Sequence, residues 1–278
     1  MNTKIKLLIF IAFILSTLTS CFDGILIDGN NEVTEEIRSL PDFSGVSSSG
    51  SFNVIYTYGK DPGVTIECES NLLPYIETAV FNNRLEIQTA SHVSIFSHKS
   101  INVYVSSPAI QLIELSGSGS IVADSVSETS FEIYLSGSGN IQSNFYGNNF
   151  KSGTSGSGSM NIVAHCQTVE TDISGSGHLN LEAYQCNDVD ITISGSGEAY
   201  LEGSSKKASF KTIGSGEISA YKFPVKEADV TISGSGDVYV TVSDYLDALL
   251  SGSGNLYYKG SPKVNSNTSG SGRIIPED

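Results

Sequence analysis

The sequence predicts an all-β protein, a right-handed parallel β-helix (β-solenoid) built from coils of about 19 residues. Three observations carry this. The phrase Ser-Gly-Ser-Gly stands at Ser116–Gly119, Ser136–Gly139, Ser155–Gly158, Ser174–Gly177, Ser194–Gly197, Ser233–Gly236, Ser251–Gly254 and Ser269–Gly272, with an altered copy at Ile213–Gly216, and successive copies start 18 to 20 residues apart. Between copies, apolar and polar residues alternate with period two, as in strands that bury one face. Aligned on the phrase, the apolar positions fall into columns. Five residues before it stand Phe131, Phe150, Val169, Val189, Ala208, Ala228, Leu246 and Val264, and two after it stand Ile121, Ile141, Met160, Leu179, Ala199, Ile218, Val238, Leu256 and Ile274. A column that recurs in every repeat means strands stacked in register. At ~3.3 Å per residue such a coil has a perimeter of about 60 Å, with neighbours about 4.8 Å apart. Long parallel connections run right-handed. No repeat shows the period of a helix, and a propeller blade needs about 40 residues.

The elements follow in chain order. Residues 1–20 read as a lipoprotein signal peptide: Lys4 and Lys6 precede a short apolar core that ends in Leu18-Thr19-Ser20-Cys21. Small residues before a cysteine match the lipobox, in which Cys21 is acylated and anchors the chain to a membrane. Residues 21–42, with Glu35-Glu36 and Asn30-Asn31, read as an acidic flexible tether. Residues 43–110 read as an N-terminal β region of irregular first coils or a cap. There Phe52, Val54 and Tyr56 alternate, Gly59-Lys60-Asp61-Pro62-Gly63 turns, and Val64, Ile66 and Cys68 alternate again, the pattern of a hairpin-like pair. Ser70 to Ile76 accommodates a short helical turn, Asn82-Asn83 a tight turn, and Ile101, Val103 and Val105 a strand that Pro108 ends. Residues 111–278 are the repeat β-helix.

Glycine tolerates positive φ and close backbone approach, so the phrase marks a corner of each coil where no Cβ fits. A flexible Gly/Ser linker is excluded by the strand residues that flank every copy.

The runs Ser49-Gly50-Ser51-Phe52-Asn53-Val54, Asn71-Leu72-Leu73-Pro74-Tyr75-Ile76, Asn83-Arg84-Leu85-Glu86-Ile87 and Ile113-Glu114-Leu115-Ser116-Gly117-Ser118-Gly119 resemble the auto-transporter adhesin, or head GIN domain, family. The similarity spans about Phe43 to Gly272. It implies a Gram-negative envelope protein, often a lipoprotein, with a β-helical body. It carries over no catalytic or binding residues.

Charge narrows the partners. The formal net charge is −15, and removal of Lys4 and Lys6 with the leader leaves 13 basic against 30 acidic residues, a net of −17. Such a surface repels nucleic acid and gains nothing from an anionic lipid face. No copy of the phrase completes a phosphate loop or a Gly-x-Ser-x-Gly elbow. His92, His98, His165 and His178 lack metal-protease spacing. Nothing selects a catalytic pair among the acids, so the expected function is non-catalytic.

Two outward columns remain. One residue after the phrase, Glu198, Glu217 and Asp237 stack on consecutive coils, a ladder that a structural Ca²⁺ or plain solvation would relieve. Three residues after it stand Asn161, Asn180, Tyr200, Ser219, Tyr239 and Tyr257, aromatics beside amides that suit sugar rings, or an ordinary strand surface. Cys166 and Cys186 share a column, which leaves open a disulfide or an unbonded stacked pair, and Cys68 reads as buried and inert. The leading expectation is an outer-membrane lipoprotein on its periplasmic or surface face, an adhesin-like module that binds a glycan or another envelope component. A protein-interaction scaffold and a polysaccharide-active enzyme are the alternatives.

Overall fold

Alternation along each repeat makes a strand with one buried face, and one strand covers almost a whole coil. The computed structural model describes residues 24–278; the lipobox and Cys21 lie outside them. Ser120–Gly137, Asn140–Gly156, His178–Gly195, Glu198–Gly214, Glu217–Gly234 and Val238–Gly252 are continuous strands, whereas two coils divide, one into Ser159–His165 and Thr168–Gly175 and the other into Leu256–Lys259 and Lys263–Gly270. Each pairs in parallel with the next, as in Ser120 opposite Asn140 and Gly137 opposite Gly156. About nine such coils make a parallel β-solenoid. The phrase stays in register throughout, with Ser136 opposite Ser155 and Ser174 opposite Ser194.

Both glycines of the phrase are needed, for different reasons. The first takes positive φ, +118° at Gly117, and a Cβ there would stand 2.7 Å from the Gly50 carbonyl oxygen. The second, Gly158, would drive a Cβ to 2.5 Å from the Gly139 oxygen. With no side chain in the way, the ladder continues through the corner: Ser138 N–H donates to the Gly117 carbonyl at 3.0 Å and Asn140 N–H to the Gly119 carbonyl at 3.1 Å.

The inward columns form one continuous core. Phe131, Phe145 and Phe150 pack ring on ring, with centroids 5.6 to 6.1 Å apart. Of the hydroxyls on inward positions, Ser152 Oγ and Thr171 Oγ1 pair at 2.9 Å, whereas those of Ser48, Thr154 and Thr212 are buried without a hydrogen-bond partner among the described residues. The strand Lys263–Gly270, which precedes the short last strand Ile274–Pro276, is exposed along its length, and its inward positions carry Ser266 and Thr268.

The N-terminal region is both coil and cap. Gly45–Gly50 lies in register between Leu112–Gly117 and Arg84–Thr89, all parallel, so Ser49-Gly50 sits under the first phrase. Asn53–Tyr58 likewise lies between Ser120–Ala123 and Asn102–Ser107. The expected hairpin does not form. Asn102–Ser107 stands between Asn53–Tyr58 and Gly63–Glu69, parallel to the first and antiparallel to the second. Alternation fixes the face a strand buries, not the neighbour it bonds. The Asn82-Asn83 turn does form: both residues take left-handed φ, +49° and +64°, and join Ile76–Phe81 antiparallel to Arg84–Thr89. The helical turn is a 3₁₀ segment, Leu73–Tyr75.

The tether is also corrected over its described part. Val33–Arg38 pairs antiparallel with Gly63–Glu69, and Ile25–Asp28 pairs parallel with Val93–Phe96. An open strand edge invites association, and these strands cover it. Arg38 pins them, donating to the carbonyls of Ile76 (2.6 Å) and Leu73 (3.2 Å).

Candidate functional site

The column three residues after the phrase is real, and every member faces the same side in register, from Asn161 opposite Asn180 to Tyr239 opposite Tyr257. Its contacts divide it. Asn180 Nδ2 donates to Asn161 Oδ1 at 2.8 Å, an amide pair that bridges two coils. The Tyr200 hydroxyl donates to Glu202 Oε1 at 2.6 Å, and Lys222 Nζ lies 5.4 Å from the Tyr200 ring centroid. Ser219 interrupts. Tyr239 and Tyr257 then stack face to face, 4.9 Å apart and 8° from parallel, with Tyr221 edge-on to Tyr239 at 5.4 Å. The spacing of one coil falls within the centroid separation of offset-stacked rings, so these tyrosines cover one another's faces and leave edges and hydroxyls outward. The expected stacking of sugars on Tyr239 and Tyr257 faces is therefore blocked between the rings.

The acidic column runs beside it. Glu198 stands opposite Glu217. His178 Nδ1 approaches Glu198 Oε2 at 3.3 Å at one end, and at the other the Asn255 N–H and Nδ2 donate to Asp237 Oδ1 at 2.6 and 3.2 Å. Partial burial, then the charges of Glu198 and Asp237, raise the Glu217 carboxyl above its ordinary pKa. The middle of the ladder is thus eased toward protonation. Among the described residues, no group of three or more His, Cys, Asp or Glu side chains converges on a position for a metal ion. The two columns meet in a shallow groove of about 180 Å³ lined by His178, Asn180, Glu198, Tyr200, Glu217 and Ser219. It combines an amide, an aromatic ring and two carboxyl groups.

The family model "Putative auto-transporter adhesin, head GIN domain" matches residues 42–204 and again 164–262, the overlap reflecting the repeats. The chain belongs to this family. Three solved structures share its fold. A "putative adhesin" from Parabacteroides merdae superposes with TM-score 0.73 at 21% identity, covering 91% of this chain and 99% of that one. A "putative lipid binding protein" from Parabacteroides distasonis gives 0.68 at 24%, covering 91% and 100%. A "putative adhesin" from the same organism gives 0.64 at 22%, again covering 91% and 100%. The comparison with curated proteins found no match. Membership of an adhesin family points to an envelope or surface location, and these relatives carry the names of adhesins or of a lipid-binding protein, not of enzymes. No helix among the described residues is long and apolar enough to cross a membrane, which says nothing of β-barrels.

The remaining candidates have structural surroundings. Cys166 and Cys186 are buried free thiols. A bulge with Gln185 at φ +65° aims Cys186 inward. Contact with the Cys186 thiol, together with burial, holds Cys166 protonated, well above an ordinary thiol. Burial pushes Cys68 up to about 11, too high for a reactive thiolate. His98 Nε2 bonds Asp28 Oδ1 at 2.9 Å and tethers the first strand, and His92 is a turn residue at φ +62°. One ladder escaped the sequence reading. Tyr146, His165 and Tyr184 stack on consecutive coils with centroids 4.8 and 5.0 Å apart. All three stand seven residues after the phrase, so the same alignment contains the signal.

Proposed function

We propose that this chain is a non-catalytic binding module of the bacterial envelope, and that its ligand is a glycan held on the lateral face of the solenoid. The groove of Asn180, Tyr200, Glu198 and Glu217 carries the proposal. Sugar hydroxyls both donate and accept. The Asn180 amide does the same, and the Glu198 and Glu217 carboxylates accept. The groove is open and shallow, as a module gripping a few residues of a long polymer requires, and its negative charge favours neutral over anionic sugars. Location follows the family, and the Leu18-Thr19-Ser20-Cys21 sequence makes it specific: an outer-membrane lipoprotein with acyl chains on Cys21.

Affinity electrophoresis of the purified full-length protein through gels containing neutral or uronic-acid polysaccharides tests this. Retardation by a neutral polymer, weakened in Asn180→Ala/Tyr200→Ala, is the expected result. Equal mobility in every gel overturns it. Release of reducing ends, lost in Glu217→Gln, replaces the module with an enzyme.

A further inference from the structure

Around the corner from that groove lies a second one, and a glycine outside the repeated phrase shapes it. Two residues before the phrase, Ser47, Glu114, Tyr134, Gly153 and Asp172 form an outward column in register. The first serines of the phrase, Ser116, Ser136, Ser155 and Ser174, form the column beside it. Together they line an open groove of about 410 Å³ with more than twice the volume of the first.

Gly153 is unlike the corner glycines. It has no positive φ, and the nearest atoms a Cβ would meet belong to a side chain, Tyr134 Cδ1 at 3.1 Å and Cε1 at 3.3 Å. Backbone conformation therefore does not demand glycine here. The missing side chain makes room for the Tyr134 ring, which leans onto the next coil. Glycine inside a strand marks a place of close approach. The Tyr134 hydroxyl donates to Glu132 Oε2 at 2.8 Å, which holds the ring down. Glu114 is fixed at one side by Arg84 at 2.9 Å, and Asp172 stands on the other side of Gly153.

We propose that this groove is a second glycan site, specific for a neutral pyranose. The apolar C–H face of the sugar lies on Tyr134, and its hydroxyls donate to Glu114 and Asp172 and exchange hydrogen bonds with Ser136 and Ser155. Carboxylates Glu114, Glu132 and Asp172 repel uronic and sialic acids. The proposal rests on the glycan reading above for ligand class only; its residues are separate from those of the first groove.

Saturation-transfer NMR and titration calorimetry of the full-length protein, with neutral oligosaccharides of glucose, mannose, galactose and N-acetylglucosamine and with an oligouronate, test it. Tyr134→Ala is expected to weaken neutral-sugar binding at least about tenfold, and Tyr134→Phe to stay within about threefold. Gly153→Val improves strand propensity but displaces the ring, so it is expected to keep the fold and lose the sugar. Unchanged binding in both Tyr134→Ala and Gly153→Val overturns the proposal, as does preference for the oligouronate. Binding lost in Asn180→Ala/Tyr200→Ala but kept in Tyr134→Ala overturns it while sparing the first groove; the converse spares this one alone.

Discussion

Gly137 rests on Gly117: with φ at +119°, a Cβ on Gly137 would stand 2.6 Å from the Gly117 carbonyl oxygen. That contact repeats up the corner and locks the coils in register, which is what places outward side chains one above another. Gly137→Ala is predicted to cost roughly 2–4 kcal/mol, from a φ closed to L-residues plus a backbone clash. Ser138→Ala, at an exposed position of the same phrase, changes stability by less than about 0.5 kcal/mol. Urea unfolding of the two variants checks the contrast.

The phenylalanine cluster is the second stability prediction. Phe145 is fully buried and touches both Phe131 and Phe150. Phe145→Ala is predicted to cost about 3–5 kcal/mol, because neighbouring coils held in register cannot collapse into the cavity. Phe145→Leu recovers most of it, measured by the same unfolding curves.

Glu69 gives the cap a pH dependence. Its buried carboxylate accepts from the N–H groups of Asn31 (2.6 Å) and His98 (2.9 Å) and from Ser97 Oγ (2.7 Å). The Ser97 bond first, then the two backbone bonds, lower its pKa against the opposing effect of burial. A depressed carboxyl contributes stability that is present above the unfolded value, near 4.3, and lost as pH falls through the folded one. Melting temperature is therefore predicted to drop in acid, and Glu69→Gln to melt lower at neutral pH with a flatter acid limb.

Glu217 has the opposite sign. Its raised pKa means that ionisation costs stability above the folded value, and the cost disappears as the group protonates. Glu217→Gln is predicted to stabilise at neutral pH by no more than roughly 0.5 kcal/mol after solvent screening and to match wild type in acid. Melts in calcium and in chelator are predicted to coincide, because no three ligands converge there.

Most of the solenoid was legible because its physics is periodic. The columns headed by Phe131 and Ile121 followed from spacing alone, and they are buried as far as Leu246 and Leu256; on the last coil Val264 is exposed and Ile274 half-buried. What escaped depends on contacts that repeat only once. The strand Asn102–Ser107 intervenes between two segments that look like a hairpin. Val33–Arg38 looks like an acidic tether but pairs through its backbone, which carries no sequence signal. Within the candidate site, the spacing placed Tyr239 above Tyr257 but said nothing of ring orientation, which decides whether a face is free. Gly153 was hidden among 28 glycines; only its ordinary φ and the ring over it set it apart.

The central claim is that outward columns on a register-locked solenoid bind neutral glycan. A glycan array probed with the full-length protein, wild type beside Asn180→Ala/Tyr200→Ala and Tyr134→Ala, tests it most directly. Binding confined to neutral glycans and weakened at least about tenfold in one or both variants is the predicted result. A silent array, or equal signals from all three proteins, contradicts it.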